Sequence, residues 1–150
     1  MVNPIMQIES DIYIHAAAAA VWTVVSRVDT WPDWHPQVIS AQWVEGKPWA
    51  DGAKLRLRLR SPIGLPITNT AVIRMAVPGS TVVWEGALFG LVAVHAFHFA
   101  DEVGGCRVTE RETYHGVMSP VMALFQGGQQ RAFDTALANL KTQIEGMPRR

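Results

Sequence analysis

The order of its periodicities is what most constrains this chain. Between Val38 and His115 it reads as about six strand-period segments punctuated by glycine and proline, and the one long helical period comes only afterwards. That closing period sets Phe133, Leu137, Leu140 and Ile144 at i, i+4, i+7 and i+11, with Ala132 and Ala136 beside them. It predicts a helix with one apolar stripe, running from about Gln129 to Glu145. Gly127-Gly128 just before it is costly inside a helix, so a kink or a fresh start is expected there. Strands gathered ahead of a terminal helix predict an α+β fold, a curved antiparallel sheet of about seven strands wrapped around that helix. One helix fills only part of such a concavity, which leaves room for a cavity.

The seventh strand comes first. Met6, Ile8, Ile12 and Ile14 alternate with Gln7, Glu9 and Asp11, the period of a half-buried strand. Ala18, Val21, Trp22, Val25 and Val28 then follow helical spacing, and the helix is expected to stop near Asp29, ahead of Pro32 and Pro36. The corner Trp31-Pro-Asp-Trp-His-Pro36 is read as a second short helix. The remaining strands are predicted at Val38 to Glu45, Ala53 to Arg60, Ile67 to Val77, Thr81 to Gly86, Leu91 to Ala100 and Arg107 to His115.

Composition narrows the class. The chain has 150 residues, which fits one domain over 1–150, and it is 49% hydrophobic and 17% charged, which excludes intrinsic disorder. Thirteen basic residues balance thirteen acidic ones, against the basic surplus expected where phosphates are gripped, so no nucleic-acid partner is expected. The single cysteine, Cys106, allows no internal disulfide and no zinc spacing. With no basic leader at the N-terminus, this points to a cytoplasmic protein. The apolar stretch Ala16 to Val25 is about half the length that spans a bilayer, so no stable membrane insertion is expected. The high apolar content is compatible with a monomer or a homodimer.

Several short motifs share one order along the chain: Ile14-x-Ala16 with Val21-Trp22, Trp31-Pro-x-Trp34-x-Pro36, Trp84-x-Gly86, His95-x-Phe97, Glu112-x-Tyr114-x-Gly116, then Phe133 and Leu140-Lys141. In these the chain resembles the START-like or SRPBCC superfamily, and within it the polyketide cyclase/dehydrase-like group. The resemblance implies the helix-grip fold. It departs from the usual pattern at Ala17, where a proline often opens the first helix, and at His35, where a small polar residue is more usual. Because that fold hosts lipid binders, hormone receptors, cyclases and oxygenase subunits, function has to be argued from the site.

The strand Arg107 to His115 carries the most informative pattern. Arg107, Thr109, Arg111, Thr113 and His115 make one wholly polar face, so Val108, Glu110, Glu112 and Tyr114 should face the cavity. A carboxylate there loses hydration, which pushes its pKa up toward neutrality. Glu112 is read either as an acid–base group or as an ordinary ion-pair partner, and Glu110 as a group near the open end, simply solvated. His95 belongs to the neighbouring strand of the Gly104-Gly105 hairpin, so it is expected beside Glu112 or Tyr114. A His95–Glu112 pair could take a proton next to a ketone while Tyr114 steadies the enolate oxygen. The alternative is a satisfied core histidine. His95 and His98 point apart, His15, His35 and His115 lack partners at metal spacing, and no metal or other cofactor is expected.

Candidate ligand-binding residues are Leu57, Asn69, Ala71, Ile73, Trp84, Phe97, Phe99, Phe125 and Phe133, with Asn69 the polar exception. Trp31 and Trp34 are expected to pin the proline-rich corner near the mouth. Arg56, Arg58 and Arg60 form a stripe opposite Leu55, Leu57 and Leu59, either a docking patch or a solvated sheet face. Three functions fit these residues. The first is binding of a hydrophobic small molecule (lipid, polyketide or aromatic compound) between sheet and C-terminal helix. The second is a cyclase/dehydratase-type enzyme using His95 and Glu112, and the third an accessory interaction module with a filled core.

Overall fold

The computed structural model describes residues 6–148. Seven strands form one antiparallel sheet in the order β1-β7-β6-β5-β4-β3-β2. They are β1 (Met6–Ile14), β2 (Val38–Glu45), β3 (Lys54–Arg60), β4 (Pro66–Val77), β5 (Thr81–Leu88), β6 (Leu91–Glu102) and β7 (Gly105–His115). Between β1 and β2 lie helix α1 (Ala18–Val25) and a 3-10 turn (Val28–Asp33). After β7 come the short α2 (Ser119–Ala123) and the long α3 (Gln126–Glu145). This is the helix-grip fold.

The alternation in the sequence is realised as burial. In β3, Leu55 and Leu57 are buried while Arg56 and Arg58 are exposed. In β7, Val108, Glu110 and Tyr114 are buried, and the outer face is tied down by Arg107 to Asp11 and Arg111 to Glu9. Helix α3 buries Phe133, Ala136, Leu137, Leu140 and Ile144. It is latched to β1 by Ser10 Oγ donating to Asp134 (2.6 Å) and Lys141 Nζ donating to the Tyr13 carbonyl (2.8 Å).

Two boundaries differ from expectation. Helix α1 ends at Val25 and the chain continues as the 3-10 turn, where Trp31 Nε1 caps the Val25 carbonyl at 2.8 Å. Helix α3 starts at Gln126, so Gly127 and Gly128 fall in its first turn rather than at a break. The backbone N–H groups of that turn have no intrahelical acceptor in any case. The break lies earlier, after α2, whose Pro120 opens a helix the sequence reading did not foresee.

The concave face is divided. All six tryptophans, Trp22, Trp31, Trp34, Trp43, Trp49 and Trp84, join in one run of ring contacts with centroids 5.1–6.4 Å apart. They fill the part of the concavity under α1 and the 3-10 turn. The part toward the β3–β4 and β5–β6 turns is hollow.

Candidate functional site

The hollow is a cavity of about 310 Å³, at the lower end of the range for small-molecule pockets. Leu57, Leu59, Ile67, Trp84, Leu91 and Phe97 supply sheet-side apolar wall, Trp31 and Trp34 close it from the corner, and Met118, Val121 and Met122 border it from the α2 region. Arg60, Ser61, Pro62 and Phe89 reach it from the two hairpin ends.

One wall is polar, and its hydrogen bonds close on themselves. Glu110 Oε2 accepts from His95 Nε2 at 2.8 Å and from His35 Nε2 at 3.0 Å. His35 Nδ1 accepts the Gln37 backbone N–H at 3.3 Å, which assigns the ring's donor proton to Nε2. The Gln37 side chain donates to Gln129 Oε1, and Gln129 Nε2 donates to the Tyr114 hydroxyl at 2.8 Å. Tyr114 donates to Glu112 Oε1, and Glu112 Oε2 accepts from His95 Nδ1 at 3.0 Å, which returns the circuit to its start. Seven residues from β6, β7, α3 and the corner thus hold one another, and all seven line the cavity.

This wiring sets the proton states. Burial alone would pull the His95 imidazole down, but hydrogen bonds to Glu110 and Glu112, and their charges, outweigh it and raise its pKa to about 9. His95 is therefore an imidazolium at neutral pH. Burial would raise Glu110, yet attraction to the His35 ring and N–H donation from His35 and His95 bring it down to about 2. Burial, then the Glu112 charge, push the Tyr114 hydroxyl up, so it stays protonated.

These facts correct two expectations. Glu110 is not a solvated group at the open end: it is fully buried at the centre of the wall. Nor does its pKa rise, because two imidazoles compensate for the lost water.

Comparison with known proteins fits this geometry. Residues 6–145 match the family described as polyketide cyclase/dehydrase and lipid transport. The chain belongs to that family. Its fold is that of the START-like or SRPBCC superfamily. Among similar solved structures is the di-domain ARO/CYC StfQ from the steffimycin biosynthetic pathway (TM-score 0.74, 18% identity, 93% of this chain and 50% of that one). Others are a START superfamily protein from Mycobacterium smegmatis (TM-score 0.74, 12% identity, 92% and 98%) and TTHA0849 from Thermus thermophilus (0.76, 14%, 93% and 97%). This chain spans half the length of StfQ. No curated protein matches it.

In this polyketide cyclase/dehydrase and lipid transport family member, the expected residues divide by depth. Leu57, Asn69, Trp84 and Phe97 line the cavity together with His95, Glu112 and Tyr114. Ala71, Ile73 and Phe99 share their strand faces but lie in the dry core, Phe99 against Trp22 at 5.8 Å. Phe133 is buried behind the polar wall, its ring 5.5 Å from His95 and 5.9 Å from His35. Phe125 borders a second concavity with Pro36 and Arg131, which adjoins the first at Gln37, Arg60 and Gln129. Arg60 departs from the rest of its stripe by bordering the cavity.

His35, Gln37 and Gln129 are the members of the wall that sequence reasoning missed. The signal for His35 was present as its departure from the family pattern, a histidine where a small polar residue is usual. Among the described residues, no group of three or more His, Cys, Asp and Glu is arranged to hold a metal ion, and no helix is long and apolar enough to cross a membrane.

Proposed function

We propose that this protein binds a hydrophobic small molecule, of the lipid, polyketide or aromatic kind, in the cavity between the sheet and α3. The observation that carries this reading is a hollow with aromatic and aliphatic walls beside a single polar wall whose side chains hydrogen-bond one another. Apolar walls supply affinity through burial, at about 25 cal/mol per Å² before ordering costs. A polar wall whose members already hold one another is preorganised and orients what enters. A hollow of this size counts against the filled-core interaction module. The charge balance and the lone cysteine favour a cytosolic setting.

The test is native mass spectrometry of the protein before and after incubation with a cell lipid extract and a panel of fused-ring aromatics. A discrete non-covalent adduct, lost when Leu57→Trp fills the cavity, is the expected result. A clean apo mass with every addition would sink the reading.

A second reading, cyclase/dehydratase-type catalysis, is favoured by His95 standing between two carboxylates as an imidazolium. Such a group is a poor base for enolisation but a competent acid. It would protonate a hydroxyl leaving from the carbon β to a ketone, and a carboxylate would accept the proton from the α carbon, so that water departs and a double bond forms. Turnover lost in His95→Ala and Glu112→Gln while binding survives would support this reading. A rate indifferent to pH up to 10 would remove it.

A further inference from the structure

The end of the molecule at which the cavity opens is apolar where water would meet it. Twelve large apolar side chains are exposed among the described residues, and more than half of them stand at this one end. Ile63 and Leu65 sit on the β3–β4 turn, Phe89 at the tip of the β5–β6 turn, Val117 just after β7, and Val121 and Leu124 on and beside α2. Residues of all three stretches border the cavity, and the Met118 N–H donates to the Gly90 carbonyl at 3.3 Å, so the turns make one rim. Contiguous exposed apolar surface of this kind marks an interaction site.

Phe89 is the most telling of these residues. It is 85% exposed, and with Gly90 it forms a two-residue hairpin loop in which both have positive φ, 51° and 75°. That turn favours Asn-Gly, and a bulky side chain is uncommon there. The backbone thus holds a phenylalanine out into solvent at a position suited to a small polar residue. Charge on the rim has one sign: residues 60–69, 86–94 and 115–132 include no Asp or Glu, and the formal charges they carry are Arg60 and Arg131. Neither arginine has a carboxylate partner among the described residues, unlike Arg74, Arg107 and Arg111. Arg131 turns back over Gly127 and Gly128, its guanidinium 3.5–3.8 Å from where their Cβ atoms would stand. A cation is thereby laid at the positive end of α3, an arrangement that an anion relieves.

We infer that this rim docks on the surface of a membrane containing anionic lipids, with Phe89, Leu124 and their apolar neighbours entering the interface and Arg60 and Arg131 meeting the headgroups. The apolar side chains stand on the tips of separate turns around an opening, so they form projections and not a flat patch. A fluid bilayer accommodates projections, whereas a protein partner must offer a socket for each. Charge decides against a second copy of this chain. A two-fold contact sets the same surface on both sides, which would bring the arginines together with no carboxylate to pair them. Anionic headgroups supply that missing charge, at about 1 kcal/mol per arginine near the surface. The docked protein would turn the cavity mouth toward the lipid, so that an apolar molecule enters or leaves without crossing water. This contact goes beyond the binding reading above and does not require the cavity to be filled.

The experiment is sedimentation of the whole protein with sucrose-loaded vesicles, either phosphatidylcholine alone or phosphatidylcholine with about 30 mol% phosphatidylglycerol, at low and at high salt. The protein should sediment with the anionic vesicles, much less with the neutral ones, and salt should narrow the difference. Phe89→Asp and Leu124→Asp should each cut partitioning about 10-fold or more, the effect of withdrawing one large apolar side chain from the bilayer. Arg60→Gln and Arg131→Gln should each cut it about 5-fold, on anionic vesicles only. Val103→Asp is the control: fully exposed on the β6–β7 turn at the opposite end of the sheet, it should leave partitioning unchanged. All five positions are exposed, so the melting temperature of each variant should hold. No sedimentation with anionic vesicles at low salt, or equal losses in Phe89→Asp and Val103→Asp, would overturn the inference. Self-association in the ultracentrifuge that Phe89→Asp abolishes, without vesicle binding, would assign the rim to a second copy and overturn it too. Since vesicle binding needs no cavity ligand, this result and the adduct measurement above can fail separately.

Discussion

Trp84 and His95 lie flat on each other, ring centroids 4.5 Å apart and planes within 7°, as cross-strand partners on β5 and β6. The face of an indole is the negative part of its quadrupole, so it favours a cation placed over it. The stack therefore adds to the two carboxylates in keeping His95 protonated. Trp84→Leu should lower the His95 pKa from about 9 by roughly one unit, followed by NMR titration of the imidazole. An unchanged titration would mean that the stack is packing only.

The wall also predicts how stability follows pH. His95 has its pKa raised from 6.5 to about 9, so its contribution is complete below 6.5 and is lost as pH rises through about 9. Glu110 is lowered from 4.5 to about 2, so its contribution is complete above 4.5 and is lost as pH falls through about 2. The urea midpoint should be highest between pH 4.5 and 6.5 and decline on both sides. His95→Gln should flatten the alkaline limb and weaken the acid limb, which His35 still supports. A midpoint constant from pH 6.5 to 9.5 in the unsubstituted protein would contradict the assignment.

Glu110 should be among the most sensitive positions in the chain. Glu110→Ala strands two imidazole N–H groups in the interior and leaves His95 with one of its two carboxylates, a change that costs about 2–5 kcal/mol. Glu110→Gln keeps a carbonyl for both imidazoles and should cost less than half as much. Urea unfolding of the two variants separates them, and equal losses would show that the site depends on charge and not on hydrogen-bond geometry.

Selectivity should be adjustable at Gly86. A methyl group there would collide with the Asn69 side-chain amide, and both residues line the cavity. Because the obstacle is the end of a side chain, Gly86→Ala should turn Asn69 aside at a cost below about 1 kcal/mol in stability, roughly what glycine-to-alanine exchange offsets in a strand. Ligand affinity should change several-fold while the melting temperature moves little. Unaltered affinity for every cavity ligand would place Asn69 outside recognition.

Strand faces were legible from alternation alone, as Leu55 and Leu57 of β3 and Glu110 and Glu112 of β7 demonstrate. The Gly104-Gly105 turn made the His95–Glu112 register readable as well. Parity, however, reports a face and says nothing of depth along the strand. Asn69, Ala71 and Ile73 share a face of β4, yet only Asn69 reaches the hollow, because tryptophans from distant segments fill the rest. Glu110 was misread for a related reason. Its deciding partner, His35, lies 75 residues away in a corner without periodicity, and no local pattern announces such a meeting. Gln129 was hidden in the same way, as one polar residue among many at the start of a helix.

The tryptophan cluster gives the protein an optical property. Trp84 touches both the imidazolium of His95 and the rest of the indole set, and Trp31 and Trp84 border the hollow. A protonated imidazole quenches an excited indole on contact, and excitation passes readily between rings packed this closely. Emission from all six is therefore funnelled past one titrating group at the edge of the cavity. The chain's intrinsic fluorescence should follow the His95 proton, dimmer while the ring is charged and brighter as pH rises through about 9, with no label attached.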